Sequence, residues 1–178
     1  MSISFEPLGR AVDSGRLHTA LGFNRARLNK LVTKTYDYGL GAVLPRPVGV
    51  LGGSMVWDLH DLEKATPKIL AAKGTVSRNA PRIEREPLDF EELARRREDF
   101  EGLPHVLGFV DAVMIAEAFG LGEGGARVPG EWASRGKLLP AHAGVIGTRR
   151  VWDVREVKER EPLILRHLER RRALSETA

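Results

Sequence analysis

One stretch of this chain occurs twice. LPRPVGVLGGSMVWD (residues 44–58) and LPAHAGVIGTRRVWD (residues 139–153) align without a gap at an offset of 95. Eight of the fifteen positions are identical (Leu, Pro, Gly, Val, Gly, Val, Trp and Asp), and Leu51 and Ile146 are similar. Identity this dense in a chain of 178 residues marks an internal duplication. That length holds one medium domain or two small ones.

Each copy reads as a β-hairpin followed by a helix. An apolar strand (48–51; 143–146) meets a two-residue turn, Gly52-Gly53 or Gly147-Thr148, and a second strand ends in Val-Trp. Gly at the first turn position suits the mirror-image turns that hairpins prefer. Asp58 and Asp153 stand where helix N-caps are expected. In the helices that follow, Leu59 and Leu62, like Val154 and Val157, are spaced to share one face. Upstream, Ala20-Leu21-Gly22-Phe23 matches Ala118-Phe119-Gly120-Leu121 at an offset of 98, so the first copy carries three more residues before its hairpin, assigned to the turn around Asp37-Tyr38-Gly39. A short apolar helix precedes each Gly, over 14–21 and 111–119. The order in each copy is therefore helix, Gly turn, helix, hairpin, helix.

Between the copies the composition changes. Pro67, Pro81 and Pro87, with Gly74, Ser77 and Asn79, read as a linker over 66–87. Residues 88–100, LDFEELARRREDF, read as a charged amphipathic helix that spaces the copies or packs on one of them. Pro162 reads as the start of a separate last helix, PLILRHLERRRAL. Leu163, Ile164 and Leu168 are its packing residues, and Arg166, Arg170, Arg171 and Arg172 face elsewhere.

Composition excludes several classes of chemistry. There is no cysteine, hence no disulfide, thiolate or cysteine-bound zinc. The five histidines (His18, His60, His105, His142, His167) lack metal-ligand spacing, so neither a metal nor a cofactor is expected. No apolar run approaches the ~18 residues of a membrane span, and the N-terminus lacks the pattern of a secretory signal. The net charge is +4, with arginines outnumbering lysines 21 to 7. Arg forks suit phosphates and guanine edges, although a GC-rich genome gives the same ratio. Asp58 and Asp61 sit at a helix start, where capping accounts for them, and Gly122-Glu123-Gly124-Gly125 lacks the strand and spacing of a phosphate loop. No enzyme activity is expected.

Three pieces together resemble the MerR-like winged helix-turn-helix domains of small bacterial and phage DNA-binding proteins, including excisionase-type regulators. They are the turn LGFNRARLNKL (21–31), the step SRGKLLP (134–140) into the second hairpin, and the twice-used Val-Trp-Asp closure. The resemblance covers about two-thirds of the chain. It implies a mainly α, α+β fold with small β-hairpin wings. Tandem winged helix-turn-helix domains would occupy 8–66 and 104–161, with a linker and charged helix over 67–103 and a C-terminal helix and tail over 162–178. In such domains the second helix enters the major groove and the wing reaches the backbone or minor groove.

The DNA-facing residues follow from that reading. Asn24 caps the first recognition helix, Leu28, Leu31 and Val32 face the core, and Arg25, Arg27, Asn29, Lys30 and Lys34 remain for DNA. In the second copy, Gly122, Gly124 and Gly125 argue against a long helix, and Pro129 opens a short one running to Arg135. This copy offers Arg127, Arg135 and Lys137, and at its wing Arg149 and Arg150 where the first has Ser54 and Met55. Trp57, Trp152 and Trp132 are read as core. The expected function is sequence-specific binding of double-stranded DNA as a transcriptional, phage or plasmid regulator, in the bacterial cytoplasm with the nucleoid. Two unequal copies imply an asymmetric site, on groove faces about one helical turn (~34 Å) apart. The alternative is a protein–protein interaction module, or an excisionase-like architectural factor, whose second copy does not read DNA. Another protein, or a second copy of the chain through the C-terminal helix, is a further possible partner.

Overall fold

Two three-stranded antiparallel sheets, one in each of two units (Met1–Arg96 and Arg97–Ala178), organise the chain. The structure is a computed structural model and describes residues 3–33, 36–37, 43–74 and 83–176. Lys34, Tyr38, Gly39, Ser77, Asn79 and Pro81 lie outside the described residues. The architecture is mixed α and β with small antiparallel sheets. No helix among the described residues is long and apolar enough to cross a membrane.

The first unit runs β1 (Ala11–Asp13), α1 (Ser14–Leu21), α2 (Arg25–Thr33), β2 (Tyr36–Asp37), β3 (Gly49–Leu51), β4 (Ser54–Asp58), α3 (Leu59–Gly74), β5 (Ile83–Glu84) and α4 (Phe90–Arg95). The second runs β6 (Glu98–Phe100), β7 (Leu103–His105), β8 (Phe109–Asp111), α5 (Ala112–Ala118), a 3-10 turn (Gly125–Arg127), α6 (Val128–Ser134), β9 (Gly144–Ile146), β10 (Arg149–Asp153) and α7 (Val154–Glu176). Both expected hairpins form, β3–β4 and β9–β10. Each gains a third strand that its residue pattern does not announce, with order β1-β4-β3 and β8-β10-β9.

The Val-Trp-Asp strand is thus central in each sheet. Trp57 pairs across from Val12, and Trp152 from Val110. Both indoles are buried, as expected, and each N–H donates to a proline carbonyl: Trp57 to Pro45 at 2.9 Å, Trp152 to Pro140 at 3.2 Å. The same strands launch the next helix. The His60 amide donates to Asp58 Oδ1 at 3.0 Å and the Arg155 amide to Asp153 Oδ1 at 2.8 Å, so both aspartates cap as expected. The backbone agrees to the single bond. The Leu59 amide donates to the Arg10 carbonyl and the Val154 amide to the Gly108 carbonyl, at 2.8 and 2.9 Å. The Val48 and Ala143 amides donate to Val56 and Val151, each at 2.8 Å.

Three expectations about the connecting segments need correction. The segment from residue 66 is not linker at its start: α3 continues through Pro67 to Gly74. Pro162 does not open a new helix, because α7 is continuous from Val154 to Glu176 with Pro162 inside it. A proline inside a helix removes a hydrogen bond and costs roughly 3 kcal/mol. Here buried apolar residues grip the helix on both sides of it: Leu62 and Ile69 around Pro67, Val157 and Ile164 around Pro162. The two prolines are themselves 95 residues apart, so the duplication extends through them. Finally, the charged segment 88–100 is helical only over α4. Asp89 caps that helix, accepting from the Glu91 and Glu92 amides at 2.9 and 3.0 Å, and these bonds, that from Glu92 foremost, hold its carboxyl below the usual range. Residues 98–100 instead form β6, which pairs with β7.

Asp13 and Asp111 open α1 and α5 in the same way. Asp13 accepts from the Arg16 amide at 2.8 Å; Asp111 accepts from Val113 and Met114 at 2.9 and 3.0 Å. Both are buried caps that end a strand and start a helix. Replacing either by Ala is expected to lower stability by about 1 kcal/mol, reaching ~2 where the site is well ordered. Urea unfolding followed by circular dichroism checks this, and an unchanged midpoint for both variants would count against the caps.

Candidate nucleic-acid interface

The turn between the first two helices of each unit is set by a glycine in the left-handed region, φ 68° at Gly22 and 61° at Gly120. A residue with a Cβ pays a steric penalty there. The amides of Gly22 and Phe23 return to the carbonyls of Thr19 and His18 at 3.0 and 2.9 Å. Those of Gly120 and Leu121 return to Glu117 and Ala116 at 3.1 and 2.9 Å. These four bonds satisfy the last carbonyls of α1 and α5 and fix the exit direction of the chain.

In the first unit the exit leads directly into α2. Asn24 Oδ1 accepts from the Arg27 amide at 2.8 Å, the N-cap expected of it. Leu28 and Val32 are buried and Leu31 packs half-buried against the same core. Arg25, Arg27, Asn29 and Lys30 are exposed, so four of the five residues assigned to this face stand together on the outer side of one helix. One contact here was not anticipated. The Arg27 guanidinium lies 4.1 Å from the centroid of the Phe23 ring, a cation–π stack that holds a flexible side chain in place. A spacing of four residues from an aromatic to an arginine at a helix start was the available signal.

The second unit builds the corresponding element differently. Gly122 and Gly124 have φ of 71° and 76°, and a Cβ on Gly125 would lie 2.6 Å from Leu121 Cβ. The chain therefore makes a 3-10 turn before α6, whose first turn contains Pro129, as expected. Trp132 is buried. Arg127, Arg135 and Lys137 are exposed but sit at the two ends of α6 rather than along it; the exposed charged residue within α6 itself is acidic, Glu131.

The two hairpins differ more sharply. Arg149 and Arg150 on β10 are both exposed, and Val145 opposite Arg150 is 44% exposed. In the first unit Ser54 and Met55 occupy those positions and are buried. The reason is α4. It packs against β3, and its buried Leu93 joins the core that contains Met55. Of the two expectations for this segment, spacing the copies or packing on one of them, its helical part α4 takes the second and packs on the first hairpin. No family model, characterised protein or solved structure matches this chain.

The Phe23 stack has a direct consequence. In the free protein the Arg27 Nε–H order parameter should exceed that of Arg149, which has no side-chain partner among the described residues. In Phe23→Leu it should fall to the Arg149 level. NMR relaxation of arginine side chains measures both, and equal values before substitution would contradict the stack.

Proposed function

We propose that the chain is a non-enzymatic, sequence-specific double-stranded DNA-binding regulator built from two divergent winged helix-turn-helix units. The observation that carries this reading is the outward face of α2. A Gly-turned, Asn-capped helix presents Arg25, Arg27, Asn29 and Lys30 together to solvent, above a buried face of Leu28 and Val32. A helix of that width fits the major groove, and its first turns meet the base edges. Arg27 sits in the first turn and is already stacked on Phe23, so less side-chain freedom is lost when it contacts a base. The resemblance to MerR-like and excisionase-type domains supports the same assignment.

The second unit contributes chiefly through its wing. Arg149 and Arg150 on an uncovered hairpin suit phosphate contact, which positions a protein without reading sequence. Arg127, Arg135 and Lys137 flank α6 and add to the positive field. The acidic Glu131 on α6 favours a narrower second reading, in which this unit touches DNA only by its wing or binds a protein instead.

The two roles separate by measurement. Arg25→Ala and Arg27→Ala should each weaken binding to a selected site by about 1–3 kcal/mol and relax base preference. Arg149→Ala with Arg150→Ala should weaken binding to all sequences alike and reduce the slope of log K against log salt by about two. Mobility-shift titrations at several salt concentrations distinguish these outcomes. No loss from the α2 substitutions would sink the recognition-helix assignment, and a flat salt dependence would favour the protein-binding reading.

A further inference from the structure

In the second unit a cleft of about 460 Å³ is bounded by α6, the turn after it and the C-terminal half of α7. That volume lies within the ~300–1,000 Å³ typical of small-molecule sites. Its walls are apolar and aromatic: Val128, Leu138, Trp132 and His167. The Trp132 and His167 rings meet edge to face, with centroids 6.2 Å apart and planes at 84°. Two ring surfaces at a right angle form a corner in which a flat ligand stacks on one ring and meets the other edge-on.

The charge around this corner is one-sided. Arg135, Lys137 and Arg171 line the cleft, with Glu131 as the only carboxylate, three cations against one anion. Among the described residues none of the three cationic side chains has an acidic partner. A purely apolar occupant would leave these cations unanswered, and a highly charged one would waste the aromatic walls. We infer that the cleft binds a small planar aromatic carboxylate, its ring in the Trp132–His167 corner and its carboxylate on Arg171 and Arg135. Guanidinium forks match carboxylates in geometry and form charge-assisted bonds with them. The site lies against α6, the element of the second unit that corresponds to α2.

The full chain titrated with 2-naphthoate, and separately with its neutral counterpart 2-naphthylmethanol, tests this by NMR. Saturable one-site binding should move the indole N–H resonance of Trp132 and leave that of Trp57 in place. Naphthoate should bind about tenfold more tightly than the alcohol, the difference expected of one charge-assisted bond. Arg171→Gln, an exposed substitution on α7, should weaken naphthoate several-fold and leave the affinity of the alcohol unchanged. Leu138→Trp should fill the cleft and remove both. Absence of saturation, equal affinity for the two compounds, an unaltered affinity in Arg171→Gln, or displacement of the probe by self-association of the chain each overturns the proposal. No DNA is present in the titration, so its result is independent of the proposed DNA-binding function.

Discussion

Everything in each unit hangs on one tryptophan in the middle of a three-strand sheet. Trp57 and Trp152 supply the largest fully buried side chains of the chain, and large aromatics dominate the energetics of a small core. Each fixes the chain before the hairpin by donating to a proline carbonyl twelve residues upstream. The next residue, Asp58 or Asp153, caps the following helix. One dipeptide thereby ties together the approach to the hairpin, the hairpin itself, the leading strand and the helix that follows. A unit of under a hundred residues has little core to spare, which accords with this dipeptide being among the eight positions the two hairpin segments share.

The surfaces above that scaffold have diverged. The first unit covers its hairpin with α4 and leaves a cation-rich helix exposed. The second leaves its hairpin uncovered, with two arginines on it, and shortens its corresponding helix, which starts only after a glycine-rich 3-10 turn. Burial makes the two choices consistent. Met55 is buried in the same core as Leu93, whereas Arg150 at the equivalent position is exposed. Two units that differ in this way provide unlike contacts within one chain, where a symmetric dimer provides the same contact twice.

Much of this was legible in the sequence because it depends on local chemistry. The Gly turns, the Asn24 and Asp58 caps, the two hairpins and the buried tryptophans follow from residue type and spacing. What was missed depends on tertiary contacts. The leading strands were hidden because the copies share only Val and Asp there: Val12-Asp13 and Val110-Asp111. Pro67 and Pro162 read as breaks because sequence alone does not show the buried residues on either side that hold α3 and α7 together. The segment 88–100 has helical composition throughout, yet its last three residues pair as β6 with β7. The Phe23 stack and the cleft beside Trp132 arise from side-chain proximity, the latter across residues more than thirty apart in the chain.

In the function proposed above, one chain carries two unequal DNA-facing units. Unbiased selection of bound duplexes, followed by hydroxyl-radical footprinting at known stoichiometry, tests it most directly. The expected result is one chain on an asymmetric site, with sequence preference confined to one end and backbone protection without base preference at the other. A perfect inverted repeat occupied by two chains, each protecting an identical half, would contradict it.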